Sequence, residues 1–313
     1  MMNRINVVSM FDGGSGGMAA LDRIGIKCNY FAFEIDKYAI QVSQKNYPNI
    51  FHLGDAKEWR ENNLPPIDLF MAGFPCQSYS IAGKRKGIED PRGKLMHTML
   101  DFIEYNRPKK LFLENVKGFL SSAKGKDFEF LMSSLKDMGY DMRYKVANAS
   151  LVSAQSRDRV YFTNWDWELP KDRGITLSSI LEDGYVDWDK SYCIDANYWK
   201  GGNFKSYFGK GRRQLVFDQP VQVGIAELNG HDIIKRVYSR DAKSPTVSAH
   251  AGGNQEPKVD VDRKKWRKLT PTECEKLQGM EVGHTDTVSN TQRYKIIGNG
   301  FNIDMVAHIL TYM

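Results

Sequence analysis

The chain has 313 residues, of which 41% are hydrophobic, and its formal net charge is +6. This length predicts two domains, each able to fill a core. The longest apolar stretches, residues 69–73 and 111–113, fall far short of the ~20 residues that a membrane-spanning helix needs, and the N-terminus lacks the apolar region of a signal peptide. We therefore expect a cytoplasmic protein with no membrane partner.

The four cysteines are widely separated in the chain and include no Cys-x-x-Cys pair: Cys28, Cys76, Cys193 and Cys274. This spacing indicates neither a disulfide framework nor a zinc site, so we expect free thiols and no metal. The net charge is too small to identify a partner by itself. The positions of the charges along the chain carry more information.

Short β-rich runs alternate with helical patterns in the first half of the chain. Strands are predicted at residues 6–10, 30–33, 69–72 and 111–113, and helices at 38–47, 96–105 and 128–138. This alternation is typical of an α/β fold with a doubly wound, mostly parallel sheet. Ligands of such sheets bind beyond the carboxyl ends of the strands, so we expect the functional site there.

The composition changes after residue 163 and predicts a second, smaller domain. Residues 166–265 are rich in Trp, Asp and Gly, suggest short irregular strands and lack a helical period. We assign residues 1–165 to the first domain. Residues 266–313 are predicted to return to it, because Thr270-Pro271-Thr272-Glu273 is a helix start and residues 302–312 again have a helical pattern.

A glycine-rich turn, Phe11-Asp12-Gly13-Gly14-Ser15-Gly16-Gly17, follows the first strand. Glycines allow a ligand to approach the backbone closely, although the pattern alone fits a structural turn equally well. Its ligand could be a dinucleotide, a phosphate or S-adenosylmethionine. Glu34, after the second strand, could accept ribose hydroxyls, and Asp55 could accept from an adenine amino group. Alternatively these acids cap helices, a role that fits Asp36 better than Glu34.

A cysteine follows the apolar strand at 69–72, in Gly73-Phe74-Pro75-Cys76-Gln77. Pro75 and the strand behind it would hold Cys76 rigidly, as a nucleophile requires, provided that its surroundings favour the thiolate. The alternative is that Cys76 is a small buried apolar residue.

The next segment, residues 82–95, has a surplus of positive charge and three glycines. It contains five basic residues and only two acidic ones, Glu89 and Asp90. A basic, flexible loop beside a nucleophile could close over the phosphate backbone of a nucleic acid. Alternatively, it is an ordinary solvated loop.

Further polar residues are predicted to face the same cleft. Glu114 follows the strand at 111–113, and the alternation of an extended segment would put Gln155, Arg157 and Arg159 on one face. Close to a thiol, these residues would form a catalytic site. Alternatively, Glu114 and an arginine form an ion pair that only stabilises the fold.

In this order, Pro75-Cys76-Gln77, Glu114-Asn115-Val116 and Gln155-x-Arg157-x-Arg159 resemble the cytosine-C5 DNA methyltransferase family. Further similarity lies at residues 267–274, 277–279 and 297–300, and the resemblance covers nearly the whole chain except about 165–235. The glycine turn departs from the commonest pattern of the family, and Gly300 replaces the usual serine.

The resemblance implies a cofactor, S-adenosylmethionine, with S-adenosylhomocysteine as product and no metal. Around the cofactor it places Phe11, Gly13, Gly17, Glu34, Ile35, Asp55, Ala56, Pro75 and Asn299. Cys76 would attack C6 of a flipped-out cytosine, Glu114 would hold N3 and the amino group, and Arg159 would contact the O2 side. Asn115 and Arg157 are the other expected catalytic residues.

The resemblance also implies that residues 166–265 are a target recognition domain for double-stranded DNA. We expect DNA contacts from the loop that follows the cysteine and from the basic, aromatic segment 198–214, whose alternative is a charged surface hairpin. The expected residues are Gln77, Ser80, Lys84, Arg85, Arg92, Lys200, Lys205, Lys210, Arg212 and Arg213.

The nearest alternative function is methylation of cytosine in transfer RNA, which a branch of the same family performs, and a catalytically idle DNA-binding regulator is less favoured. A deaminase is excluded because its His-x-Glu and Pro-Cys-x-x-Cys ligands are missing, and a nicotinamide dehydrogenase would leave Cys76 and Glu114 without a role. We expect a stand-alone bacterial or phage enzyme, a monomer, acting as an orphan or beside a cognate restriction endonuclease.

Overall fold

The computed structural model describes residues 4–74, 94–200, 207, 210–217, 222–225, 236–238 and 266–313. Its centre is a seven-stranded sheet with the strand order β3-β2-β1-β4-β5-β7-β6. The strands are β1 (Ile5–Met10), β2 (Cys28–Phe33), β3 (Phe51–Gly54), β4 (Leu69–Gly73), β5 (Lys110–Val116), β6 (Arg143–Asn148) and β7 (Asp158–Thr163).

The sheet is parallel from β3 through β5, and only β7 runs in the opposite direction to its neighbours β5 and β6. The predicted α/β class with a doubly wound, mostly parallel sheet is confirmed. The apolar runs of the sequence marked the strands because strands covered on both faces are apolar throughout.

Helices cover both faces of the sheet. They are α1 (Gly16–Arg23), α2 (Lys37–Asn46), α3 (Lys94–Asn106), α4 (Lys126–Asp137), α5 (Pro271–Leu277), α6 (Asn290–Asn299) and α7 (Ile303–Leu310). One core packs α1 and α7 against alternate sheet residues such as Val7 and Met71, and the other packs α3 and α4 against Val8 and Phe70. Among the described residues, none of these helices reaches the length and apolar content needed to cross a bilayer.

The C-terminal segment begins as predicted. Thr270 accepts a hydrogen bond from the Glu273 N–H, and the Glu273 carboxylate accepts one from the Thr270 N–H, which together form a capping box at the start of α5. The expected helix at 302–312 is also present, with Asn302 as the N-cap of α7. Helix α6 was not predicted, because its apolar residues do not repeat at helical spacing over its length.

The part of the second region that the structure describes is irregular, with short two-stranded antiparallel sheets. β8 (Leu215–Phe217) pairs with β11 (Trp266–Lys268), and β9 (Gln222–Ile225) pairs with β10 (Arg236–Tyr238). Short 3-10 turns lie at Ser178–Ile180 and Tyr198–Lys200. The domain limits at residues 165 and 265 remain a prediction.

Candidate active site

A cavity of about 450 Å³ opens at the carboxyl ends of β1 to β5. It is bounded by the turns that follow these strands and by the C-terminal end of α6. The lining includes residues from the glycine turn and from the later motifs of the sequence: Phe11, Asp12, Gly13, Glu34, Ile35, Asp55, Ala56, Phe74, Glu114, Arg157, Arg159, Asn299 and Phe301. One cavity therefore joins seven of the nine expected cofactor residues to three of the expected catalytic ones, Glu114, Arg157 and Arg159.

Glu34 is fixed by three backbone amides. Its carboxylate accepts a hydrogen bond from Gly13 N at 2.7 Å, and from Ile35 N and Asp36 N at 2.8 Å each. Gly13 has φ +62°, a conformation that glycine adopts without strain. Glu34 therefore ties the glycine turn to the end of β2 and faces the cavity, whereas Asp36 is the N-cap of α2.

Asp55 has two roles in the structure. Its carboxylate accepts a hydrogen bond from Lys57 N at 2.9 Å and caps the 3-10 turn Ala56–Glu61, so the capping alternative is correct for Asp55. The same residue lines the cavity. Ile35, an apolar side chain that is 70% exposed, lines the same cavity.

Asp12 is a cavity residue that the sequence motifs did not single out. Its carboxylate accepts hydrogen bonds from the hydroxyls of Tyr30 at 2.7 Å and Ser15 at 2.6 Å. Burial raises the pKa of Asp12 to about 6, against the opposing effect of these hydrogen bonds. The only sequence signal was an acidic residue inside the glycine turn.

Gly17, expected beside the cofactor, is not among the residues that line the cavity. A Cβ at this position would lie 2.6 Å from the Tyr30 hydroxyl and 3.3 Å from the Met71 side chain. Glycine is therefore needed at position 17 for packing behind the turn.

Glu114 and Arg159 form an ion pair inside the cavity. Arg159 Nε lies 3.0 Å from Glu114 Oε1, and the two side chains are 13% and 12% exposed. Burial raises the pKa of Glu114, although the positive charges of Arg159 and Arg157 oppose the rise. The antiparallel register, with Val116 opposite Arg159, brings the start of β7 to the carboxyl end of β5 and so creates this pair.

Arg157 and Gln155 do not share this arrangement, because β7 begins only at Asp158. Arg157 is 2% exposed, and its guanidinium donates to backbone carbonyls, including that of Gly300 at 2.9 Å. Gln155 accepts a hydrogen bond from Ile194 N at 3.0 Å. Arg157 and Arg159 nevertheless both line the cavity, as expected, whereas Gln155 is not among its lining residues. Each of the three side chains has its own set of partners.

Asn115 is fully buried and, unlike its neighbour Glu114, is not among the residues that line the cavity. Its Oδ1 accepts from Val116 N at 2.8 Å, and its Nδ2 donates to the Phe74 carbonyl at 3.5 Å. These contacts hold the ends of β4 and β5 together.

Phe301 is a cavity residue that no motif indicated. A Cβ at Gly73 would lie 2.8 Å from the Phe301 ring and 3.7 Å from the Glu114 carboxylate. Glycine at position 73 therefore makes room for an aromatic wall beside Glu114, and the ring also packs edge-on against Phe112.

Several expected residues lie outside the described part of the chain. They are Pro75, Cys76, Gln77, Ser80, Lys84, Arg85, Arg92 and Lys205. The three cysteines that the structure describes, Cys28, Cys193 and Cys274, are free thiols.

The described basic residues of the second region differ in their surroundings. Lys200, Lys210 and Arg212 are exposed, and the Lys200 ammonium lies 5.4 Å from the centre of the Trp199 ring. The Arg213 side chain is only 17% exposed and donates to the Asn197 carbonyl. Arg213 is therefore engaged within the chain, which weighs against its expected DNA contact.

The chain is similar to known proteins in both sequence and fold. The family model described as C-5 cytosine-specific DNA methylase matches residues 5–313. A type II methyltransferase, M.HhaI of Haemophilus parahaemolyticus, is 29% identical over 97% of this chain and 93% of its own. The orphan methyltransferase M.SPBetaI of Bacillus phage SPbeta is also 29% identical, over 98% of this chain and 97% of its own.

Among solved structures, the methyltransferase EhMeth of Entamoeba histolytica superposes with a TM-score of 0.72 and 20% identity, covering 99% of this chain and 98% of its own. This likeness shows the same fold. The match of the family model over nearly the whole length identifies the reaction as methylation of carbon 5 of cytosine in DNA. The chain therefore belongs to the C-5 cytosine-specific DNA methylase family.

Proposed function

We propose that the protein transfers a methyl group from S-adenosylmethionine to cytosine in a short, specific sequence of double-stranded DNA, through a bond between Cys76 Sγ and C6 of a flipped-out base. The observation that carries this proposal is the shared cavity. Glu34 and Asp55 line one part of it, and the ion pair of Glu114 and Arg159 lines another. A cofactor and a base could therefore meet in a single cleft.

The cavity suits S-adenosylmethionine in size and chemistry. Its volume of about 450 Å³ lies in the range of small-molecule sites, and its walls combine apolar and acidic groups. We assign contacts with the cofactor, and with its product S-adenosylhomocysteine, to Phe11, Gly13, Glu34, Ile35, Asp55, Ala56, Pro75 and Asn299, with Gly17 in support behind the turn. When bound, the cofactor supplies the methyl group.

The remaining chemistry falls to the side chains around the base. The Cys76 thiolate would bond to C6 and raise the electron density at C5, which is otherwise a poor nucleophile. Glu114 would hold N3 and the amino group, and Arg159 would donate to O2, so that charge developing on the ring is stabilised in a buried site. Loss of the C5 proton and departure of Sγ would restore the aromatic ring.

The DNA contacts are assigned to two parts of the chain. Gln77, Ser80, Lys84, Arg85 and Arg92 would act from the loop after the nucleophile, and Lys200, Lys205, Lys210 and Arg212 from the recognition region. Exposed lysine and arginine side chains suit phosphates and base edges. Arg213 would support this surface from within.

The relatives support a proposal about the cellular setting. One is called an orphan methyltransferase and another a type II methyltransferase, and both come from phage or bacteria. We infer a cytoplasmic monomer of such an origin that protects DNA from a cognate endonuclease or acts alone. One flipped base requires only one active site.

The proposal is tested with a duplex containing 5-fluorocytosine, because fluorine at C5 prevents release and traps the covalent adduct. Wild type and Cys28→Ala are expected to form an adduct stable to denaturing electrophoresis, and Cys76→Ala is not. Cys28 is a suitable control because burial raises its pKa to about 11, which leaves it almost entirely a thiol. An adduct with Cys76→Ala would overturn the choice of nucleophile.

The substrate is tested by incubating the protein with labelled S-adenosylmethionine and either genomic DNA or transfer RNA. Label in DNA, with bisulfite sequencing locating it at one recurring sequence, is the expected result. If only transfer RNA became labelled, DNA would be the wrong substrate and the proposal would fail.

A further inference from the structure

The guanidinium of Arg157 binds backbone carbonyls at the C-terminal end of α6. Its Nη2 donates to Gly298 O at 3.2 Å and to Gly300 O at 2.9 Å, and its Nη1 donates to Gly298 O at 3.3 Å. Nη1 also donates to Ile194 O at 3.0 Å, in a different segment of the chain. Arg157 therefore joins the end of α6 to residues 193–196.

Gln278 reinforces the same turn. This buried amide donates to Ile297 O at 2.8 Å and to Gly300 O at 3.4 Å, and its own oxygen accepts from Gln155 at 3.4 Å. Gln155 in turn accepts from Ile194 N. The last turn of α6 is thus linked to residues 193–196 directly by Arg157 and, through Gln155, by Gln278.

Gly298 shows how closely these two segments approach each other. A Cβ at this position would lie 2.3 Å from the backbone carbon of Asp195 and 2.5 Å from the nitrogen of Ala196. Because the obstacle is backbone, a side chain at position 298 would push the segments apart. We call Arg157, Gln278 and Gly298 the α6 clamp.

The turn held by the α6 clamp forms one wall of the cavity. Asn299, Gly300 and Phe301 line it, immediately beside the carbonyls that accept from Arg157. Arg159 differs, because its guanidinium faces the carboxylate of Glu114. The two arginines therefore serve different parts of the cavity.

We propose that Arg157 is a positioning residue, which acts with Gln278 to set the cofactor wall of the cavity and does not contact the base. The inference rests on the proposed function, since it needs S-adenosylmethionine in this cavity. Loss of the α6 clamp lets the wall move, so it weakens cofactor binding in the free protein. At saturating cofactor the reaction proceeds at nearly the normal rate.

The test compares Arg157→Lys with Arg143→Lys. Lysine keeps the charge but has one compact ammonium, which cannot reproduce the fork of bonds to three carbonyls. Arg143 is a matched control on the edge strand β6, where its side chain is 51% exposed and pairs with Asp166. The measurements are the Kd of S-adenosylhomocysteine by calorimetry without DNA, the KM and kcat of methylation, and the melting temperature.

Arg157→Lys is expected to raise the Kd and the KM for the cofactor by about tenfold, which corresponds to about 1.4 kcal/mol, with kcat within about twofold of wild type. Arg143→Lys is expected to change none of these constants. A large fall in the kcat of Arg157→Lys with an unchanged Kd would assign Arg157 to the base and overturn the proposal. A variant whose Kd, KM and kcat all equal those of wild type would also overturn it.

Gln278→Leu is the second variant, since it removes two of the bonds to the turn and leaves Arg157 in place. It is expected to raise the same Kd with the same small effect on kcat. If neither variant folds, the α6 clamp serves stability alone and the proposal is wrong. If wild type itself does not bind S-adenosylhomocysteine, the proposed function fails, which is a separate outcome.

Discussion

The hydroxyl of Tyr30 occupies the space that a Cβ at position 17 would need, 2.6 Å away. The same hydroxyl donates to Asp12, so the contact links helix α1 to the floor of the cavity. Position 17 is thereby restricted to glycine by the strand beneath it.

Gly17→Ala is expected to destabilise the protein by about 1–3 kcal/mol, because the added methyl group overpacks a buried contact. Urea unfolding measures the change. Gly16→Ala is the matched control, since a Cβ there meets only ordinary contacts of 3.5 Å or more. Tyr30→Phe removes both this obstacle and the hydrogen bond to Asp12, so Gly17→Ala should cost less in a Tyr30→Phe background than in wild type. An equal cost in both backgrounds would show that the hydroxyl is not the obstacle.

Asp12→Asn is expected to change how stability depends on pH. The folded chain raises the pKa of Asp12 from 3.8 to about 6, so it holds this proton more tightly than the unfolded chain does. Ionisation of Asp12 therefore lowers the free energy of unfolding as pH rises from about 4 to 6. The loss reaches about 3 kcal/mol and stays constant above that range.

Asparagine removes this titration. We expect the variant to gain stability relative to wild type between pH 4.5 and pH 7.5, by about 1–3 kcal/mol in urea unfolding. A difference between the two proteins that stays constant with pH would contradict this expectation.

Arg159→Met is expected to destabilise the fold by about 3 kcal/mol, because it leaves the buried Glu114 carboxylate without its partner. Burial already raises the pKa of Glu114, and loss of the arginine raises it further. A raised carboxyl pKa lowers stability as pH rises, so the effect should be larger at pH 8 than at pH 5. The double variant Glu114→Gln with Arg159→Met should recover most of the loss, and equal losses at both pH values would refute the explanation.

Glu273→Ala is expected to cost more stability than Thr270→Ala. The Thr270 hydroxyl provides one capping bond, worth about 1 kcal/mol. Glu273, which is fully buried, accepts from Glu182 N as well as from Thr270 N and pairs with Arg267, so its loss should cost about 2–4 kcal/mol. Thr272→Ala is the neighbouring control, and the reverse order in thermal unfolding would contradict this assignment.

Local sequence patterns predicted much of the fold, because the features that they mark are local. The apolar runs at 69–72 and 111–113 lie in buried strands, and Thr270 caps the helix that it was expected to start. The family resemblance, carried by motifs in their order along the chain, agreed with the match of the family model.

The parts that were missed depend on contacts between distant residues. Arg157 binds the Gly298 carbonyl 141 positions away, and the Tyr30 hydroxyl that restricts Gly17 in helix α1 is supplied by strand β2. Alternation along an extended segment could not reveal that Arg157 and Arg159 have different partners. Asp12 carried no motif signal of its own, since its raised pKa arises from burial in the finished fold.

The reversed direction of β7 also fixes where the chain goes next. It leaves the sheet at Thr163, on the rim opposite the cavity, and returns by residues 193–196 to the end of α6. On the way the Lys190 ammonium binds the carbonyls of Ser150, Ser153 and Ile175. Hydrogen bonds therefore hold this stretch at both rims of the sheet, and we expect substitutions beyond residue 200 to leave the ion pair of Glu114 and Arg159 in place.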